Sequence, residues 1–80
     1  MLNFCYVIDK SDTEFLKAIG LNVRKYRNKT NISQAHLAFE INTTLRQIQR
    51  IEAGTANFSI LYLKKIAEIL NIKLTTLIDK

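Results

Sequence analysis

Eighty residues suffice for one small domain, and a hydrophobic content of 48% supplies a core, which excludes a wholly disordered chain. Proline is absent and glycine occurs twice, which suits a helical bundle with short connections, and no apolar run approaches the roughly 18 residues of a membrane span. The single cysteine, Cys5, cannot form an internal disulfide and fits a reducing cytoplasmic compartment, while a net charge of +5 attracts polyanions.

The charge is unevenly spread. No acidic residue lies between Glu14 and Glu40, yet Lys17, Arg24, Lys25, Arg27 and Lys29 do. Charge alone leaves two readings equal: a solvated helix face, or a surface for nucleic acid. A helix lying on an anionic membrane is disfavoured, because no face joins a basic stripe to a broad exposed apolar one.

In chain order, residues 1–10 alternate loosely. Leu2, Phe4, Tyr6 and Ile8 fall on one side, and Asn3, Cys5, Val7 and Asp9 on the other, as in a short strand or extended arm. The start, MLNFCYVIDKSD, has no basic segment ahead of its apolar residues and makes a poor signal peptide. Ser11-Asp12-Thr13-Glu14 has capping-box spacing, which predicts a first helix from Asp12 to about Asn28 with Phe15, Leu16, Ile19, Val23 and Tyr26 inward. The expected division is therefore an arm or strand over 1–11 and a folded domain over 12–80. Asn31 is the expected left-handed stop, with Ile32 packing back.

Ser33 to Gly54, SQAHLAFEINTTLRQIQRIEAG, is the most informative stretch. Ser33 is a good N-cap, and Ala35, Leu37, Ala38 and Ile41 turn small or apolar side chains to one side. Asn42 suits a left-handed turn. Thr44 is the expected N-cap of a third helix that Gly54 ends. In that helix Ile48 and Ile51 share one side, while Arg46, Gln49, Arg50 and Ala53 share the other, with Thr44 and Leu45 at the leading end. Two short helices joined by a tight turn, the second with arginine and glutamine on its open face, is what a DNA-reading helix-turn-helix requires. A fourth helix follows Ser59, with Phe58 and Leu63 placed as a hydrophobic staple and Leu63, Ile66, Ala67 and Leu70 inward. Asn71 stops it, and Ile72, Leu74, Leu77 and Ile78 form a short last helix over the bottom of the core.

These residues resemble the phage-repressor and Cro-like (XRE-type) helix-turn-helix domains. The resemblance rests on Val23 with Arg24 and Arg27, then Ser33-Gln34-Ala35-His36-Leu37-Ala38, then Thr44 to Ile48, then Ile51-Glu52-Ala53-Gly54. It continues through two closing helices in SILYLKKIAEILNIKLTTLI and covers about residues 15–78. Three positions depart from the family pattern: Asn42 where glycine is usual, Thr43 where an apolar residue is common, and Phe58 where proline is common. The resemblance implies an all-α fold, a five-helix lambda-repressor-like bundle, and a largely buried pair between Arg27 and Glu52 that ties the third helix to the first. It also implies that Gln34 reaches a phosphate and buttresses the third helix, and that the loop Thr55–Ser59, with Asn57, approaches the sugar-phosphate chain.

Thr44, Leu45, Arg46 and Arg50 are the candidate reading residues, supported by Gln49 and Gln47. Arginine can donate twice to guanine, and glutamine can pair with adenine. Leu45 has two open readings, contact with a thymine methyl or burial in the core. Arg50 lies deeper along the helix, where phosphate is an alternative to a base. Lys25, Lys29 and Lys64 are weaker candidates for phosphate contact. His36 and Cys5, far apart and without clustered carboxylates, make no zinc site, and no nucleophile or phosphate-loop motif is present. No cofactor, metal or enzymatic activity is expected.

The expected function is a sequence-specific, double-stranded DNA-binding transcriptional regulator acting as a homodimer on a palindromic operator, without a membrane role. The expected dimer surface is Ile69, Ile72, Leu74, Leu77 and Ile78 around the last helix, with Phe4, Tyr6 and Ile8 of the arm contributing. No ligand or protease domain is expected to follow, which leaves regulation to concentration, dimerisation or a partner. The short C-terminus favours a compact controller or Cro-like repressor over the alternatives: an antitoxin, or an interaction module that keeps the bundle without binding DNA.

Overall fold

Among the described residues, four positions of positive φ punctuate the backbone: Asn31 at 63°, Asn42 at 60°, Gly54 at 76° and Asn71 at 60°. Asparagine and glycine enter this left-handed region at little cost, so each is a natural place for a helix to end. The structure, a computed structural model, describes residues 10–56 and 58–78. Its elements are α1 (Lys10–Lys29), α2 (Gln34–Glu40), α3 (Leu45–Ala53), α4 (Ile60–Leu70) and α5 (Leu74–Ile78). The all-α, five-helix expectation holds, and there is no strand among the described residues. Of the arm or strand expected over 1–11, residues 1–9 lie outside them.

Two helix starts are capped by side chains. Ser33 Oγ accepts from the His36 amide at 3.0 Å, and Thr44 Oγ1 accepts from the Gln47 amide at 3.1 Å. Each such cap is worth about 1 kcal/mol. Ser59 precedes α4 as expected but makes no side-chain capping bond.

Several expectations are corrected. Helix α1 already includes Lys10 and Ser11, so Ser11 lies inside the helix and does not open it with a capping box. Extending a formed helix adds a hydrogen bond for each residue fixed, which outweighs a local capping preference. Phe15, expected inward, is 43% exposed. The end of α3 at Gly54 already lies against Lys17, so the first turns of α1 run past it. Ala35 is exposed, because at 100° per residue it falls about 110° from the buried stripe of Leu37, Ala38 and Ile41. Leu77, assigned to a dimer surface, is fully buried and closes the core of its own chain.

Every helix sends a fully buried side chain to that core: Val23 from α1, Leu37 from α2, Ile48 and Ile51 from α3, Ile66 from α4 and Leu77 from α5. Burying each contributes about 1.5–3 kcal/mol. Asn22 Nδ2 donates to the Leu77 carbonyl at 2.8 Å and so fastens α5 to α1.

The α1–α3 contact positions the helix-turn-helix, and it depends on an absent side chain. A Cβ on Gly20 would stand 2.5 Å from the Ile51 carbonyl oxygen and 2.6 Å from that of Glu52. Glycine here lets the two backbones meet. Close by, Arg27 Nε donates to Glu52 Oε2 at 2.6 Å and its second terminal nitrogen donates to Oε1 at 3.2 Å. The side chains are only 10% and 4% exposed. Arg27 also donates to the Ile32 carbonyl at 2.8 Å, and Gln34 Nε2 donates to Glu52 Oε1 at 3.0 Å. One carboxylate thus gathers α1, the start of α2 and the end of α3.

Glu52→Ala should lower stability by about 3–5 kcal/mol, because Arg27 then keeps its charge in a site with no counter-ion. A thermal melt within a few degrees of the parent contradicts this. Gly20→Ala should gain up to about 1 kcal/mol in helix propensity but lose about 1–3 kcal/mol to a clash with backbone that cannot swing aside, for a net loss. A raised melting midpoint would show that α1 and α3 have room to part.

Candidate nucleic-acid interface

Helix α3 has two chemically distinct sides. Ile48, Ile51 and Glu52 are buried, while Leu45, Arg46, Gln49, Arg50 and Ala53 are exposed and Gln47 is half-exposed. The burial of Ile48 and Ile51 fixes the rotation of the helix and leaves both guanidinium groups in solvent. Leu45 is 44% exposed, so it sits among the polar groups of the outer side and not in the core. Thr44, at the leading end, is exposed, and its hydroxyl accepts the capping bond from Gln47. The only carboxylate of α3 is Glu52, whose charge is taken up internally by Arg27. The outer side is therefore cationic and amide-bearing, with an apolar side chain at its tip. Such a surface can donate to guanine and to phosphate, pair with adenine and touch a thymine methyl.

Gln34 is half-buried, and its amide nitrogen points to Glu52. One of its two N–H groups is therefore committed inside the molecule, leaving the other and the amide oxygen for an outside partner. Glu52 lies on the buried side of α3 with its partner Arg27, away from the exposed groups. Asn57 lies outside the described residues. Lys64 pairs with Glu68 at 3.3 Å on the exposed side of α4, which offsets part of its charge. Lys25 and Lys29 bracket the Tyr26 ring, with Nζ 5.2 Å and 5.5 Å from its centroid, and form a separate basic cluster on α1. His36 is engaged with Glu40 at 3.2 Å.

Sequence reasoning passed over Tyr62, whose hydroxyl shares a 3.1 Å hydrogen bond with Thr43 Oγ1 in the turn before α3. The one signal was Thr43 itself, a hydroxyl where the family pattern is apolar. Among the described residues no group of three or more His, Cys, Asp or Glu side chains could hold a metal ion, and no helix is long and apolar enough to cross a membrane.

Comparison with known proteins agrees with this geometry. A helix-turn-helix family model matches residues 23–77. Over 61 residues the chain is 39% identical to the control protein C.BamHI of Bacillus amyloliquefaciens, covering 75% of each chain. The crystal structure of the restriction-modification controller protein C.AhdI from Aeromonas hydrophila superposes with a TM-score of 0.74 at 29% identity, over 78% of this chain and 94% of that one. A hypothetical transcription factor from Neisseria, NHTF, superposes with a TM-score of 0.77 over 98% of this chain and 88% of its own, and at 18% identity it supports the fold alone. The chain belongs to the XRE-type helix-turn-helix family of DNA-binding transcriptional regulators, which are not enzymes.

Proposed function

We propose that the protein is a controller-type regulator, like the restriction-modification controller proteins it resembles, and that it binds a palindromic operator as a homodimer. The observation that carries this reading is the exposed side of α3: Arg46, Gln49 and Arg50 in solvent, no exposed carboxylate on the helix, and Ile48 and Ile51 locking its rotation. In the proposed complex α3 lies in the major groove with its N-terminal end toward the bases. Arg46 donates to guanine O6 and N7. Gln49 pairs with adenine, Thr44 and Gln47 contact the leading edge of the half-site, and Leu45 packs on a thymine methyl. Arg50 contacts base or phosphate. The free N–H of Gln34 and the side chain of Asn57 meet phosphates, which fix register without carrying sequence information.

One α3 covers about one half-site, so two copies related by a twofold axis would read half-sites about 34 Å apart, and their linkage would multiply affinity. Ile69, Ile72, Leu74 and Ile78 are only partly buried against the core and are the proposed dimer surface, without Leu77. The N-terminal arm is proposed to add to it. Within the cytoplasm, a net charge of +5 adds a salt-sensitive, sequence-independent attraction to any duplex.

Arg46→Ala should weaken binding to a duplex selected from a random pool by about 1–3 kcal/mol and relax preference at one base pair. An equal loss on all duplexes would assign Arg46 to phosphate. Sedimentation velocity at micromolar concentration should show a dimer that Leu74→Asp converts to monomer. A wild-type protein that sediments only as a monomer, with and without operator, contradicts the dimer.

A further inference from the structure

The turn that sets the leading end of α3 is anchored at its start by Ile41, which is buried in the core. Ile41 and Asn42 close α2, the Thr43 amide donates to the Ala38 carbonyl at 2.8 Å, and Thr44 then caps α3. These bonds join the turn to α2 and to α3, and none joins it to the rest of the bundle. Past Ile41, the polar link outward is the hydrogen bond between Thr43 Oγ1 and Tyr62 Oη at 3.1 Å. Tyr62 lies in the first turn of α4, with its ring half-buried against the core. Farther along α4, Lys65, Glu68 and Ile69 face Glu40, Ile41 and Asn42 across a shallow groove of about 230 Å³. Part of α4 thus borders the turn across this groove, and the hydroxyl pair joins the two elements directly.

We propose that Tyr62 is a positioning residue for DNA reading, holding the helix-turn-helix turn through Thr43 so that the leading end of α3 meets the bases in register. This rests on the DNA-reading role proposed above for α3. The Thr43 side chain is one residue ahead of the Thr44 cap and two ahead of Leu45. Hydrogen bonds to base edges need correct distance and angle, whereas attraction to phosphate tolerates small shifts. A turn freed from α4 thus loses discrimination between sequences and keeps its affinity for duplex in general. Ile48 and Ile51, buried farther along α3, and the Glu52 clamp hold the fold in either case. The bond also joins the turn before α3 to the helix that leads into the proposed dimer surface.

The test uses the full chain, the duplex that the wild-type protein selects from a random pool, and an unselected duplex of equal length. Tyr62→Phe and Thr43→Val each remove one hydroxyl and keep the size of the side chain. Each should weaken binding to the selected duplex about fivefold to tenfold, with affinity for the unselected duplex changed less than about twofold. The double substitution should lose no more than either single one, and Thr43→Ser, which keeps the hydroxyl, should bind as wild type. Equal losses on both duplexes, additive losses in the double variant, or no loss at all would overturn the proposal while leaving DNA reading by α3 intact. A wild-type protein that selects no duplex overturns the DNA reading and this proposal with it.

Discussion

A carboxylate placed inside a protein is tolerated only when its charge is answered at close range, and Glu52 is answered by three donors from two other parts of the chain. Two belong to Arg27 of α1 and one to Gln34 at the start of α2. Arg27 satisfies another of its N–H groups on the Ile32 carbonyl, and among the described residues no buried side-chain nitrogen or oxygen lacks a partner. An ion pair of this kind adds less stability than a well-packed apolar contact would, because both charges must first leave water. Its consequence is geometric. The forked guanidinium pairs with the carboxylate in few orientations, so the end of α3, the last turn of α1 and the start of α2 hold one mutual arrangement.

That arrangement explains how a nine-residue helix can hold the fixed pose that the proposed reading head requires. Alone, α3 would be too short to persist in water. Its stability comes from its apolar side, its position from the clamp and from the bare backbone of Gly20, and its leading end from the Thr44 cap. With those constraints met on one side, the other carries arginine and glutamine into solvent without competing internal partners. The requirements of folding and of recognition fall on opposite sides of one element, and Glu52 is where they come closest. It is the acidic residue nearest the basic face, and it is electrostatically occupied.

Much of this was legible in order of residues alone. Asn31, Asn42, Gly54 and Asn71 marked helix ends because each is a residue type for which positive φ is inexpensive. The exposure of Arg46, Gln49 and Arg50 followed from the spacing of Ile48 and Ile51 on a helix. What could not be read depends on which distant segments meet. The first turns of α1 overshoot their neighbour, so periodicity placed Phe15 inward where the described residues leave it 43% exposed. Leu77 was open to both a core and a dimer-surface reading on its five-residue helix, and the packing of α5 on α1 and α4 is what buries it. Leu45 stands at the border of the two sides of α3, where angular spacing decides nothing. The internal bond of Gln34 joins residues 18 apart, and that of Tyr62 joins residues 19 apart. Gly20 offered a signal, since glycine inside a helix weakens it and so implies a close neighbour.

The central claim is that the outer side of α3 is the surface that meets the bases. Its most direct test is an NMR titration of the isotope-labelled protein with a selected duplex, following backbone amides and the side-chain groups of arginine and glutamine. The account predicts that the largest shifts and the intermolecular contacts to base protons arise from Leu45, Arg46, Gln49 and Arg50. Contacts confined to Lys25 and Lys29 on α1 or to the exposed side of α4, with the α3 side chains unmoved, would contradict it.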